Sequence, residues 1–156
     1  MLEGGCDCGK VRYRIKADPI MVNCCHCHLC QRQTGSGFAI NVLIEAGEVE
    51  LLREAPVANH VASPSGMGQK IMRCPHCGVS VWGIYGGAGD SALFVRAGTL
   101  DTPEAVGPDV HIYTRSKLPW LALPEGVPAF QSSYKIDEVW SAESKERLRR
   151  NLTGAV

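Results

Sequence analysis

Cys6-Asp7-Cys8-Gly9-Lys10-Val11-Arg12-Tyr13-Arg14-Ile15-Lys16 joins the two features that decide how this chain folds. Its first half is a C-x-C pair, in which alternate residues of an extended segment project to one side and can share one metal ion. Its second half alternates Val11, Tyr13 and Ile15 with Lys10, Arg12, Arg14 and Lys16, the period-two pattern of a strand with one wet face. Similar runs follow at Phe38 to Ile44, Val49 to Arg53, Gln69 to Arg73, Val79 to Tyr85, Leu93 to Ala97 and Val110 to Tyr113, punctuated by Gly, Pro and Asn. The pattern predicts a mainly β fold of short antiparallel strands and small sheets built around metal sites.

Helical signals are few. A short turn is expected from His28 to Gln33, and a C-terminal helix from Ala142 to Leu152, capped by Ser141, with acidic residues early and basic residues late. The glycine-rich stretch Gly83 to Gly89 and the segment Pro119 to Pro128 read as loops or edges. With 156 residues the chain fits one compact domain. Residues 4–135 are expected to form a zinc-binding β domain, with 136–156 as its helical extension.

Composition narrows the function. Sixteen Lys plus Arg balance sixteen Asp plus Glu, and the pI is near 6.9, so no overall field favours nucleic acid or an anionic membrane. No apolar window is long enough to span a bilayer, and the first residues lack a basic segment followed by an apolar one. A cytoplasmic protein with no nucleic-acid or membrane partner is expected. No interface pattern suggests an oligomeric state.

Eight cysteines are the informative feature. Without a secretion signal, metal comes before disulfides. Cys74-Pro75-His76-Cys77-Gly78 has the form of a zinc knuckle, two thiols turned toward one ion, and Cys6 with Cys8 can complete it across the intervening chain. A closed four-thiolate site is structural. Cys24-Cys25-His26-Cys27-His28-Leu29-Cys30 overlays C-x-C on C-x-x-C, so Cys25, Cys27 and Cys30 can bind one ion and leave its fourth position open, as catalytic zinc does. Spacing leaves the partition open: Cys74 or Cys77 would also complete the middle trio, and a single structural zinc beside redox-active thiols is an alternative. His26 and His28 read as surface or supporting imidazoles rather than ligands, and Cys24 as a small buried side chain.

The ordered motifs Gly4-Gly5-Cys6-Asp7-Cys8-Gly9 with Val11-Arg12-Tyr13, CHCHLCQRQTGSGF from Cys25 to Phe38, and Cys74 to Gly78 resemble the glutathione-dependent formaldehyde-activating enzyme family. HIYTRSKLPW from His111 to Trp120 and the segment Gly126 to Phe130 extend the likeness. The resemblance implies two three-stranded-type sheets, a structural zinc on Cys6, Cys8, Cys74 and Cys77, and a catalytic zinc on Cys25, Cys27 and Cys30. It also implies carbon–sulfur lyase chemistry joining formaldehyde to glutathione as S-hydroxymethylglutathione.

On that reading zinc, two ions per chain, is the cofactor, and glutathione or a similar thiol is the substrate and small-molecule partner. Coordination to the open ion would ionise the thiol at neutral pH. Arg32, Gln33 and Ser36, just after the cluster, are candidates to orient the thiol's remainder, and Arg115, Lys117 and Trp120 to reach it if their loop folds back. The rival is a zinc-stabilised thiol-binding or interaction module without turnover, expected if Cys24 or His28 closes the middle site. A redox or zinc-buffering protein is a third reading.

Overall fold

The computed structural model describes residues 1–63, 66–85 and 89–153. Among them, β1 (Leu2–Gly5), β2 (Arg12–Ile15) and β5 (Val49–Leu51) form a three-stranded antiparallel sheet in the order β1-β2-β5. The larger sheet has seven strands: β3 (Met21–Cys25), β4 (Ala39–Glu45), β6 (Val57–Val61), β7 (Gln69–Arg73), β8 (Ser80–Tyr85), β9 (Ala92–Arg96) and β10 (Val110–Ile112), in the order β10-β3-β4-β9-β8-β7-β6. The helices are α1 (His28–Thr34), α2 (Ile136–Val139) and α3 (Ala142–Thr153), so the fold is mainly β.

The opening stretch behaves as its alternation requires. Val11, Tyr13 and Ile15 are fully buried and pack on one face of the large sheet, against Val22, Val42, Ile44, Leu93, Val95 and Trp82. The edge of one ring meets the face of the other in the Tyr13–Trp82 pair, whose centroids are 5.6 Å apart. The interleaved Arg12 and Arg14 stay at the surface, paired with Asp101, Glu3 and Glu50. The other face of the large sheet carries Met21, Leu43, Ala92 and Val110, and it is covered by Trp140, Tyr134, Val139 and Leu148 from the C-terminal region.

Three expectations need correction. The sheets are not both three-stranded, because β3 to β4 and β6 to β9 form one continuous ladder instead of stopping at three. Not every pair is antiparallel: β10 lies parallel to β3, since residues 97–109 cross the sheet from β9 to its far edge, the long connection a parallel neighbour requires. Strands β1, β3 and β6 lay outside the periodic runs. β3 is buried at every position, so it shows no alternation, and β6 is an exposed edge strand with no buried face. Residues 86–88 of the glycine-rich stretch lie outside the described residues, whereas Gly83 to Tyr85 end strand β8. Among the described residues, no helix is long and apolar enough to cross a membrane.

Candidate functional site

Three groups of sulfur and imidazole atoms converge among the described residues, the members of each within 4.8 Å of one another: Cys6, Cys8, Cys74 and Cys77; Cys25, Cys27 and Cys30; and Cys24, His26 and His111. The first two gather the cysteines that the family resemblance assigns to two separate sites.

In the four-cysteine group, the turn after β1 meets the turn between β7 and β8. Cys8 Sγ lies 3.4 Å from Cys6 Sγ and 3.7 Å from Cys74 Sγ. Backbone amides point at the sulfurs: Val11 N–H donates to Cys6 Sγ at 3.2 Å, and His76 N–H to Cys74 Sγ at 3.4 Å. Amides from Cys8 and Val79 hold the Cys77 thiol down at about 6. The knuckle closes through Gly78, whose φ of 75° is one that glycine adopts freely, and its N–H bonds to Cys74 O at 3.0 Å. Cys6 and Cys74 are buried in the core, while Cys8 and Cys77 face outward. Four soft donors gathered by N–H···S bonds fit a tetrahedral ion such as zinc.

The three-cysteine group sits where β3 ends and α1 begins. Cys25 is the last residue of β3, Cys27 caps α1 by accepting from the Cys30 N–H at 3.4 Å, and Cys30 is the buried residue of α1. Gln31 fastens this corner, its amide donating to His26 O at 2.8 Å and to Ser116 O at 2.9 Å. Cys25 and Cys30 are buried against Ala39 and packed beside Ile112 and Tyr113, while Cys27 is half-buried and forms the accessible side. Tyr113 holds a left-handed φ of 55°, backbone strain placed directly against the trio.

The sulfurs share charge unequally. Hydrogen bonds from Cys25 and Cys30 hold Cys27 at about 2, and those same contacts with burial drive Cys25 far above the usual thiol range. Cys30 is drawn down by Cys25 but pushed up further by Cys27 and by burial, to about 11. Three thiols this close compete for their protons, and a dication lets all three ionise, which makes this donor set fit zinc.

Cys24 projects from β3 to the opposite side from Cys25 and belongs to the third group. Its sulfur lies 3.6 Å from His26 Nε2, which lies 3.0 Å from His111 Nδ1. Burial pushes the Cys24 thiol up to about 12 and lowers both imidazoles. His26 is therefore a fully buried imidazole, not a surface one. The pairing of His26 with His111 was invisible in sequence because a long stretch of chain separates them. His28 is exposed and its imidazole lies 3.4 Å from Gln31 Oε1, and neither His28 nor Cys24 joins the three-cysteine group.

Of the residues expected to orient a thiol, Gln33 and Ser36 line a cleft of about 430 Å³, whereas Arg32 is exposed outside its lining. The loop after β10 does fold back: a side chain at Gly37 would lie 3.2 Å from Leu118 and 3.6 Å from the Trp120 ring. Lys117 is nevertheless committed to the Leu118 and Leu121 carbonyls, and Arg115 lies over Tyr113 at 5.9 Å. The sequence reading missed Arg96, which also lines the cleft. Its signal was one charged residue ending the apolar run Leu93-Phe94-Val95.

A curated protein of Halomonas elongata, provisionally named a glutathione-dependent formaldehyde-activating enzyme, is 26% identical over 128 residues, covering 79% of this chain and 81% of its own. The crystal structure of a Rhodobacter sphaeroides protein aligns at 21% identity and a TM-score of 0.48, over 68% of this chain and 91% of that one. The sequence model of the glutathione-dependent formaldehyde-activating enzyme family matches residues 1–116, a span that holds every cysteine of the chain, and this chain belongs to that family.

Proposed function

We propose that the chain is a zinc-dependent carbon–sulfur lyase that joins a small carbonyl compound such as formaldehyde to a glutathione-type thiol, and releases it in reverse. The observation that carries this reading is the three-cysteine group: three thiolate donors converge at a half-exposed corner with no fourth His, Cys, Asp or Glu among the described residues. The exclusion of Cys24 and His28 favours it over a closed binding module without turnover.

Cys25, Cys27 and Cys30 would hold the catalytic zinc, and Cys6, Cys8, Cys74 and Cys77 a second, structural one. Zinc in the open site supplies the positive charge that keeps an incoming thiol ionised near neutral pH. The reaction is an addition without redox change. The thiol sulfur bonds to the carbonyl carbon, the C=O π pair moves to oxygen, and the proton given up by the thiol ends on that oxygen. Buried Cys25 and Cys30 fix the donor geometry, and Gln31 holds α1 to the loop after β10. Gln33 and Ser36, which line the adjoining cleft, orient the remainder of the thiol, with Arg32, exposed outside that lining, as a further contact. Residues 136–156 are an extension of the 4–135 domain, a reading supported by the burial of Trp140 against Ile20, Met21 and Leu43.

The test is Cys27→Ser, assayed for adduct formation from formaldehyde and glutathione. Turnover should fall by roughly a hundredfold or more, as expected when one donor of a reacting centre is lost. A folded variant with undiminished turnover would sink the assignment.

A further inference from the structure

The cleft holding Gln33 and Ser36 opens at one end of the large sheet, between the start of β4, the end of β9 and the turn joining β7 to β8, with α1 over it. Ala39 belongs both to its wall and to the packing around Cys25 and Cys30, so the cleft and the three-cysteine group share a boundary. Two arginines, Arg73 and Arg96, line it, and no acidic side chain does so among the described residues.

These arginines differ in their commitments. Arg73 is engaged through both of its Nη atoms, donating to Gln33 Oε1 at 2.5 Å and Gly78 O at 2.9 Å. Arg96 is only 5% exposed. Its Nη1 donates to Asn41 Oδ1, on the residue opposite it in the β4–β9 ladder. Its Nε and Nη2 are buried and have no hydrogen-bond partner among the described residues, and Ser80 Oγ, on the same lining, is in the same condition. Nε–H and one Nη2–H lie parallel along one edge of a guanidinium, the edge that takes both oxygens of a carboxylate. Asn41 thus fixes the far end of the fork and leaves its bidentate edge unpaired among the described residues. Leaving such a charged donor pair unmet in the interior is costly, so an anionic partner is the ordinary complement.

We propose that Arg96 and Ser80 form a carboxylate subsite that receives a carboxylate of the thiol substrate while its sulfur lies at the three-cysteine group. This rests on the thiol-binding part of the proposed function and adds the feature selected: a thiol carrying a carboxylate, as glutathione does, over a neutral one. Arg96 acts in binding and positioning, not in the bond-making step.

The test compares binding of glutathione and glutathione diethyl ester to the purified zinc-loaded protein by titration calorimetry, with adduct formation assayed alongside. The wild type should prefer the acid by on the order of ten- to a hundredfold, the value of hydrogen bonds to a charged group. Arg96→Lys keeps the charge but loses the fork, and should remove most of that preference while leaving ester binding unchanged. A folded, metal-replete Arg96→Lys protein with the wild-type preference would overturn the subsite. Should that variant fail to fold, Ser80→Ala decides: loss of about tenfold in glutathione binding alone supports the subsite, and equal binding refutes it. A wild type that prefers the acid but forms no adduct keeps the subsite and removes the lyase reading. One that turns over acid and ester with equal KM removes the subsite and keeps the lyase.

Discussion

Gly4 shows how tightly single residues constrain this fold. A Cβ there would lie 2.4 Å from the Thr99 carbonyl oxygen and 2.6 Å from the Tyr13 hydroxyl, which itself bonds to Thr99 Oγ1 at 2.7 Å. The carbonyl is backbone and cannot swing away, and Tyr13 is fully buried. Gly4→Ala should therefore lower stability by about 1–3 kcal/mol, the usual range for overpacking a filled site. Urea unfolding checks this, and an unshifted midpoint would contradict it. In sequence, Gly4 was only part of a motif; the reason it must be glycine lies on Thr99, far along the chain. The cysteines are the reverse case, since their local spacing already marks them as donors.

At the scale of elements, the alternating runs became strands within a residue or two of their expected limits, because one buried face imposes period two on the sequence. The elements that escaped were those without a face to alternate, β3 and β6, or those too short for a period, β1 and α2. The C-terminal helix was legible from its cap. Ser141 Oγ accepts the Ser144 N–H at 3.0 Å, as expected of an N-cap. That helix is also tied to the body, through Ser144 Oγ to Ile20 O at 2.9 Å and through the Arg147–Glu45 pair at 2.7 Å. Ser141→Ala should cost about 1 kcal/mol, read as a small drop in Tm. If Tm is unchanged, the docking contacts and not the cap hold the start of α3.

Over the whole molecule, the four-cysteine group ties distant segments, joining Cys8 to Cys74 across 66 positions and the small sheet to the β7–β8 turn of the large one. A structural zinc there would contribute roughly 10–16 kcal/mol by the scale of zinc-finger peptides, as much as the whole stability of an ordinary domain. Cys77→Ser should accordingly lose about one zinc per chain and much of its soluble, cooperatively folding fraction. Elemental analysis with thermal unfolding measures both, and a stable variant with the wild-type metal content would refute the structural assignment. Cys27→Ser, by contrast, should lose metal with a far smaller drop in Tm, because its group lies within one corner of β3 and α1. The sequence by itself determined the three cysteine clusters, the alternation of the strands and the likeness to the family, since each is written in residue types at short, fixed spacing. Only the tertiary structure decided that Cys6 and Cys8 close on Cys74 and Cys77, that His26 turns inward to meet His111, and that Arg96 lines the cleft bordering the three-cysteine group. Those depend on which distant segments the sheets bring together, and no local period encodes that.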